Sequence, residues 1–236
     1  MIDKERLTTI LDSTHKRDKT EKLEAFSKIL DPKLKTVVES IFPTPVYRAI
    51  MDREFTKEEL DFVNNEKNKC TKNQGNINTK DNYILNREEF KNIKSFLNEC
   101  CKDYLEKIIC PKYNTKLNIT QSWLNYTEKD QYHHQHAHPN SVVSGVLYFN
   151  GDKQDKILLH STKGYEPIIV EKEKFNQWNS ATWWFPAEIG ELIMFPSSTF
   201  HQVEVKQGET TRISLSFNSF YKGALGSDIG LTGLII

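Results

Sequence analysis

The feature that most constrains the fold of this chain is a change in residue pattern near Leu117. Upstream, charged and helix-favouring residues dominate; downstream, short runs of β-branched and aromatic residues alternate with turn residues, and no helical period survives. Short strands that follow a group of helices predict an α+β, mainly β fold, in which N-terminal helices support a sandwich or barrel of antiparallel strands. The predicted strands are Leu117–Tyr126, Ser141–Phe149, Lys156–His160, Ile168–Val170, Glu191–Phe195, Gln202–Val205 and Arg212–Phe217.

The first half of the chain divides into an arm and the start of the principal domain. Residues 1–40 mix charges of both signs with Leu, Lys and Glu, which predicts a helical arm without assigned chemistry. Pro43 and Pro45 end any helix, so we place the boundary of the principal domain, residues 41–236, at the segment that contains them. A capping box that begins at Thr56 predicts a helix at about 57–67, and a stripe of apolar residues at three- and four-residue steps predicts a second at about 87–108.

Composition excludes several classes of partner. Lys plus Arg and Asp plus Glu number 32 each, so no overall field attracts nucleic acid or an acidic membrane. No stretch approaches the roughly 20 apolar residues of a membrane span, and we expect a soluble, cytoplasmic protein. None of the four cysteines forms a C-x-x-C pair, which favours free thiols in a reducing compartment.

Histidines are concentrated in two places that suggest a metal site. Side chains at positions i and i+2 of an extended segment point the same way, so His136 and His138 can bind one ion together. His201, from a distant strand, would close one face of that ion and leave the other open to water, oxygen and substrate. Alternatively, the histidines decorate a solvated loop or bind zinc adventitiously. Five of the seven histidines lie in these places: His133, His134, His136, His138 and His201.

Arg212 begins a predicted strand whose alternation separates polar from apolar side chains. Arg212, Ser214 and Ser216 share one face of that strand. A guanidinium offers a rigid fork to a carboxylate, and Ser214 can donate a further hydrogen bond to the same group. The alternative reading of Arg212 is an ordinary surface cation.

These motifs together resemble a known family. A His-x-His pair, a long gap, a His after a strand that ends in Phe-Pro, and an Arg about ten residues later resemble the Fe(II)/2-oxoglutarate-dependent dioxygenases, in particular the prolyl-hydroxylase-like branch and the oxygenases common in phages and marine bacteria. The resemblance covers most of the chain after residue 40. Its most specific parts are His136-Ala137-His138-Pro139-Asn140-Ser141, Ser144-Gly145-Val146-Leu147-Tyr148, Phe195-Pro196-Ser197 and Arg212-Ile213-Ser214-Leu215-Ser216-Phe217-Asn218.

The resemblance implies a fold, cofactors and roles for individual residues. It implies a double-stranded β-helix, a cupin-like jelly roll, with Fe(II) held by the three histidines. It further implies 2-oxoglutarate bound by Arg212, Ser214 and Tyr148, with Tyr126 near it. Either tyrosine could instead be a core aromatic. The implied reaction uses O2, with ascorbate as a reductant, to hydroxylate an unidentified small molecule or peptide residue such as proline; a phage-encoded enzyme would act in the host cytoplasm.

Some readings stay open at this stage. The usual family pattern has Asp or Glu where this chain has His138, and a three-histidine face also suits zinc or copper; Asp152 is the nearest downstream carboxylate that could substitute. A non-catalytic, cupin-like metal- or ligand-binding module is the alternative function, and a zinc hydrolase ranks last because no Glu is placed as a general base. The loop 70–82 and the segment Phe175–Phe185 are candidate walls or lids. The tail Gly223–Ile236 could pack on its own chain or on a second copy, which leaves a homodimer open.

Overall fold

The computed structural model describes residue 38 and residues 40–162, 168 and 170–236. The predicted helical arm, residues 1–40, lies almost wholly outside the described residues. The chain divides into two compact units, Met1–Pro43 and Thr44–Ile236, and the helices and strands given below belong to the second. Within the described ranges, no helix is long and apolar enough to cross a membrane.

Two α-helices support the sheets. α1 spans Lys57–Glu66 and begins with the predicted capping box: the Thr56 hydroxyl accepts from the backbone N–H of Glu59, and the Glu59 carboxylate accepts from the backbone N–H of Thr56. α2 spans Lys91–Tyr104. Two 3-10 turns, Ile84–Asn86 and Glu88–Phe90, precede α2, and a π-helical turn, Leu105–Ile109, follows it.

Strands make up most of the regular structure, and every pair of named strands in the described part is antiparallel. They form a large sheet in the order β1-β9-β6-β11-β4-β3-β2, with β12 also paired to β11, and a small sheet in the order β5-β10-β7-β8. The strands are β1 Tyr47–Ile50, β2 Cys70–Lys72, β3 Ile77–Thr79, β4 Thr115–Thr127, β5 His133–His136, β6 Val143–Asn150, β7 Lys156–His160, β8 Thr182–Pro186, β9 Glu191–Pro196, β10 His201–Val203, β11 Arg212–Leu225 and β12 Leu234–Ile235.

The two faces of the large sheet pack on different neighbours. One face, which includes Leu124 and Phe217, meets apolar residues of both helices, such as Val63 and Leu97. The other face meets the small sheet. Apolar residues between the two sheets form a second core cluster: Val146, Tyr148, Ile157, Leu159, Ala187, Ile193 and Phe195. The unit Thr44–Ile236 therefore has three layers, and polar side chains between the two sheets are held among buried neighbours.

Several elements differ from the sequence prediction. The predicted polar loop 70–82 contains the hairpin β2–β3, which pairs with β4. Residues 168 and 170, the described part of the predicted strand Ile168–Val170, are not in a strand. In the tail, β12 pairs with β11 of the same chain, where Ala224 lies opposite Ile235. Strands β1, β5 and β8 were not predicted because polar, histidine or tryptophan residues interrupt the apolar alternation on which the prediction relied.

Gly145 is a point where the core admits no side chain. It lies on β6 opposite Phe217 of β11. A Cβ at position 145 would overlap the Phe217 ring and lie 3.1 Å from Cγ of Met194. Phe217 is fully buried and cannot move aside without disturbing the helix-facing core.

We therefore expect Gly145→Ala to lower the free energy of unfolding by about 1–3 kcal/mol, the usual cost of overpacking a dense core. Urea denaturation followed by circular dichroism measures the change. Gly230→Ala is the matched control, because a Cβ there meets its nearest atom at 3.5 Å and has ordinary space. Equal stabilities of the two variants would contradict this account of Gly145.

Candidate active site

The structure brings three of the predicted site histidines together between the sheets. One ligand atom from each of His136, His138 and His201 lies within 4.8 Å of the other two. His136 on β5 is directly opposite His201 on β10, and their ring centroids are 4.3 Å apart. The His138 ring lies 4.9 Å from that of His136 and 5.1 Å from that of His201. We call this group the outer trio.

Hydrogen bonds to backbone carbonyls set the tautomer of two of these rings. Nδ1 of His136 is 2.8 Å from the carbonyl oxygen of His134, and Nδ1 of His201 is 3.0 Å from the carbonyl oxygen of Thr199. A carbonyl oxygen only accepts, so each Nδ1 carries the proton and donates it. The lone pair of each ring is then on Nε2, as in metal-binding histidines oriented by a second hydrogen bond.

His138 lies just beyond the end of β5 and is fixed by a network of hydroxyl groups. Its backbone N–H donates to the carbonyl oxygen of Ser197, 2.9 Å away. The hydroxyls of Ser197 and Ser144 are 2.8 Å apart, and Ser144 donates to Oδ1 of Asn218 at 2.8 Å. This network connects the ends of β6 and β9 to β11. It accounts for the small polar residues Ser144, Ser197 and Asn218 at these positions.

Burial keeps the outer trio neutral near pH 7. Burial lowers the pKa of His138 to about 4 and that of His201 to about 3, and the charge of the neighbouring His136 acts in the same direction on both. Burial also lowers the pKa of His136, against the hydrogen bond from its ring to the backbone of His134. Neutral imidazoles offer their lone pairs to a borderline metal ion without first releasing a proton.

Arg212 stands at the start of β11 with its side chain only 4% exposed. Its Nη2 donates to Oγ1 of Thr127 at 3.0 Å, whereas Nη1 is buried and has no hydrogen-bond partner among the residues that the structure describes. Nη1 lies 3.6 Å from Oδ1 of Asp155, close enough for electrostatic attraction but too far for a hydrogen bond. A buried guanidinium with an unused donor is costly, and it can accommodate a carboxylate that supplies the missing acceptor.

Ser214 and Tyr148 lie on the same side of the large sheet as each other. Ser214 is opposite Tyr148 in the β11–β6 pair and opposite Asn125 in the β11–β4 pair, and all three are buried. Burial raises the pKa of Tyr148, while the charge of Arg212 acts to lower it, and the phenol remains a neutral donor. Asn125, whose Oδ1 is buried without a partner, was not predicted; only the register of β4 against β11 identifies it.

A buried ion-pair network next to Arg212 was also not predicted. Lys206, with no exposed side-chain surface, donates from Nζ to Oδ2 of Asp152 and to Oδ2 of Asp155, each at 2.7 Å. The hydrogen bond from Lys206 lowers the pKa of Asp152. Asp152 is thus engaged with Lys206 and does not belong to the outer trio. The sequence carries no signal for this network, because Lys206 and Asp155 are 51 residues apart.

The structure corrects the interpretation of Tyr126. Tyr126 is opposite Ile213 rather than Arg212, so it lies on the helix-facing side of the large sheet. Its hydroxyl donates to the backbone carbonyl of Val63 in α1 at 2.5 Å. Tyr126 is a core aromatic that ties the sheet to a helix, and it does not face Arg212.

The aromatic segment proposed as a wall is partly exposed. Trp183 and Trp184 lie on the edge strand β8, and Nζ of Lys156 is 5.8 Å from the centroid of the Trp184 ring. Trp178 lines a groove of about 460 Å³ together with Phe175 and Phe200, and Phe200 directly precedes His201. All three tryptophans are more than two-fifths exposed, so none of them is a simple core residue.

One family model matches part of the chain. Residues 121–218 match the family model described as "Putative 2OG-Fe(II) oxygenase", a segment that includes the outer trio, Tyr148, Arg212 and Ser214. In sequence, no curated protein is significantly similar to the chain.

Solved structures show where the fold recurs. HygX from Streptomyces hygroscopicus, solved with nickel, 2-oxoglutarate and hygromycin B bound, is 10% identical over 75% of this chain and 82% of its own, with a TM-score of 0.50. A prolyl-4-hydroxylase from Pseudomonas putida is 10% identical over 74% of this chain and 92% of its own, with a TM-score of 0.49. At such identities the likeness to HygX shows a shared fold and nothing finer.

For Tyr126→Phe, we expect a loss of about 1 kcal/mol in the free energy of unfolding, since the Val63 carbonyl loses its donor while the ring keeps its packing. Ligand binding at Arg212 should be unchanged. Thermal denaturation and calorimetric titration with 2-oxoglutarate measure the two quantities. A loss of 2-oxoglutarate affinity without a loss of stability would instead favour a position of Tyr126 near the co-substrate.

Proposed function

We propose that this chain, which belongs to the Fe(II)/2-oxoglutarate-dependent oxygenases, hydroxylates an organic substrate in a reaction driven by the oxidation of 2-oxoglutarate. It is an oxidoreductase, and iron and 2-oxoglutarate are the cofactor and co-substrate of its family. The observation that carries this proposal is the unused donor of a buried Arg212 on the same strand face as Ser214.

We assign the outer trio as the ligands of Fe(II). Three neutral imidazoles with close ligand atoms suit this ion, and carbonyl-bound Nδ1 groups hold two of the rings in the ligating tautomer. The place usually taken by a carboxylate is occupied by His138, so the protein ligands would leave both positive charges of the ion uncompensated. A dianionic co-substrate supplies that compensation, which makes 2-oxoglutarate a suitable additional ligand.

We assign Arg212, Ser214 and Tyr148 to the distal carboxylate of 2-oxoglutarate. Nη1 of Arg212 has an unused donor, and Ser214 and Tyr148 are opposite each other on neighbouring strands. These three groups can each donate to one carboxylate in a site from which water is largely excluded. Thr127 holds the other terminal nitrogen of Arg212 and so fixes the plane of the guanidinium.

When bound, iron and 2-oxoglutarate would supply the redox chemistry: O2 is the oxidant, 2-oxoglutarate supplies two electrons, and O2, 2-oxoglutarate and a substrate C–H group would become succinate, carbon dioxide and the hydroxylated substrate. The contribution of the protein is different: it binds and orients these groups and keeps bulk water away from them. Ascorbate is the reductant we expect to sustain turnover.

We further propose that β4–β11 form a double-stranded β-helix. In chain order these eight strands alternate between the sheets except at the hairpin β7–β8, with β4, β6, β9 and β11 in the large sheet and β5, β7, β8 and β10 in the small one. This alternation and the antiparallel pairing support a jelly roll. In this arrangement β5 and β10, which carry His136 and His201, are neighbours within the small sheet although 64 residues, 137–200, lie between these two histidines.

The substrate class we propose is a small molecule or a peptide residue such as proline. The groove lined by Phe175, Trp178 and Phe200 offers exposed aromatic surface, and its Phe200 is the chain neighbour of His201, which makes it our candidate wall for that substrate. Its chemistry suits an apolar or ring-bearing group more than a strongly charged one.

The direct test of this function is succinate release. Protein loaded anaerobically with Fe(II) should bind 2-oxoglutarate and, after exposure to O2 with ascorbate and pools of peptides or small molecules, should release succinate. Chelation of iron with excess EDTA should abolish the release. Absence of both 2-oxoglutarate binding and succinate formation in every pool would contradict the proposal.

For Arg212→Met, we expect the Kd for 2-oxoglutarate to rise about 30-fold or more, because truncating one partner of a buried charge-assisted pair costs about 2–5 kcal/mol. Binding of Fe(II) should be retained. Arg87→Met is the matched control, since Arg87 is paired with Asp81 at an exposed position. A non-catalytic metal-binding module has no need of the fork, so unchanged affinity in the Arg212 variant would favour that alternative.

A further inference from the structure

A second group of three histidines lies on β5 itself. One ligand atom from each of His133, His134 and His136 lies within 4.8 Å of the other two. The His133 and His136 rings are stacked with centroids 4.6 Å apart, and the His134 ring lies 4.8 Å from that of His136 and 5.4 Å from that of His133. We call this group the inner trio; it shares His136 with the outer trio.

An irregularity in strand pairing creates the inner trio. His136 is opposite His201, but His133 is opposite Val203, so three steps along β5 match two steps along β10. Positions 201 and 203 of β10 share a face, and therefore His133 and His136 share one too. A regular strand would have turned His133 away from His136. Bulges of this kind re-aim side chains next to functional sites.

The inner trio lies at the end of β5 that is nearest to Arg212. The turn between β4 and β5 is bonded to Lys206 by two backbone hydrogen bonds, Asp130 N to Lys206 O at 2.9 Å and Lys206 N to Gln131 O at 2.8 Å. Lys206 in turn bonds Asp155, which faces Arg212. His138, by contrast, lies beyond the other end of β5. The two trios therefore extend from His136 in opposite directions.

The inner trio also has an unsatisfied nitrogen. Nδ1 of His134 is buried and has no hydrogen-bond partner within the described part of the chain. Buried polar atoms in native proteins nearly always have a partner, and an orphan in a histidine cluster is explained by an absent ion or water. A purely structural role for His134 leaves this atom unexplained.

We propose that His133, His134 and His136 form a second binding position for a divalent cation of the zinc class, which competes with the outer trio. Three imidazoles and a water molecule are a common ligand set for Zn²⁺. His136 donates from Nδ1 to the His134 carbonyl and has one free lone pair, on Nε2, so it binds one ion at a time. An ion in the inner trio thus displaces iron from the outer trio and sits on the Arg212 side, where 2-oxoglutarate would lie.

The consequence for catalysis rests on the proposed function, but the metal position itself does not. Imidazole sites bind Zn²⁺, Ni²⁺ and Cu²⁺ more tightly than Fe²⁺. The inner trio would therefore hold the protein in an inactive form whenever zinc is abundant relative to iron.

The test uses Zn²⁺ and the full chain. His138→Gln/His201→Gln removes two ligands of the outer trio and leaves the inner trio complete. We expect this double variant to bind one Zn²⁺ per chain by calorimetric titration, and further substitution with His133→Ala and His134→Ala to weaken that binding at least about 10-fold, the effect of losing one imidazole interaction of about 1.4 kcal/mol. Circular dichroism of both variants checks that each is folded. His160→Ala in the double variant is the control and should bind Zn²⁺ unchanged.

Each outcome decides one question. The inner trio is not a metal site if the double variant and the variant that also lacks His133 and His134 bind Zn²⁺ with equal affinity. The same conclusion follows if a folded double variant binds no Zn²⁺. Binding of two Zn²⁺ ions per wild-type chain contradicts the claim that the two trios compete for His136. Failure of wild-type protein to bind Fe(II) and 2-oxoglutarate, with Zn²⁺ binding retained in the double variant, instead contradicts the proposed function and supports the inner position.

Discussion

The antiparallel pairing of β5 with β10 is the constraint on which the candidate site depends. It sets His136 opposite His201 and so brings together two parts of the chain that the sequence separates widely. A slip of one residue would turn one of these rings away from the other, because side chains alternate along a strand. His201 is the buried residue of this pair of strands, and the pairing is supported there by the Phe195 ring, whose centroid lies 4.7 Å from that of the His201 ring.

Around this pairing, charge and burial are arranged differently at the two ends of the site. The histidine end has no formal charge, since burial keeps the imidazoles neutral. The arginine end has four ionised groups that balance one another: Arg212 and Lys206 against Asp152 and Asp155. A ligand with one carboxylate for each end, such as a dicarboxylic oxo acid, fits this division. The neutral outer trio can bind a cation, and the unused N–H group of Arg212 can donate a hydrogen bond to an anion.

The sequence could predict the local part of this arrangement and not the part that depends on register. The spacing of His136 and His138 indicated two ligands on one face, and the alternation after Arg212 indicated a polar face. The sequence placed Tyr126 near the co-substrate, and this was wrong. Its position on the helix-facing side of β4 follows from its pairing with Ile213 of β11, which the sequence does not reveal. The contacts of Lys206 with Asp155, and the bulge that turns His133 toward His136, arise from tertiary packing between distant or irregular segments. Patterns within one segment carry no information about them.

The ion pairs of Lys206 hold two segments together at the Arg212 end of the site. The Lys206 ammonium has no exposed surface and joins the segment before β11 to both carboxylates of the β6–β7 turn. Opening this end would break two ion pairs, one of them between nearly fully buried Lys206 and Asp155, which disfavours the entry of a small molecule from this side. An approach from the other end of the site, where the ring centroids of His138 and Trp123 are 5.9 Å apart, would leave these ion pairs intact.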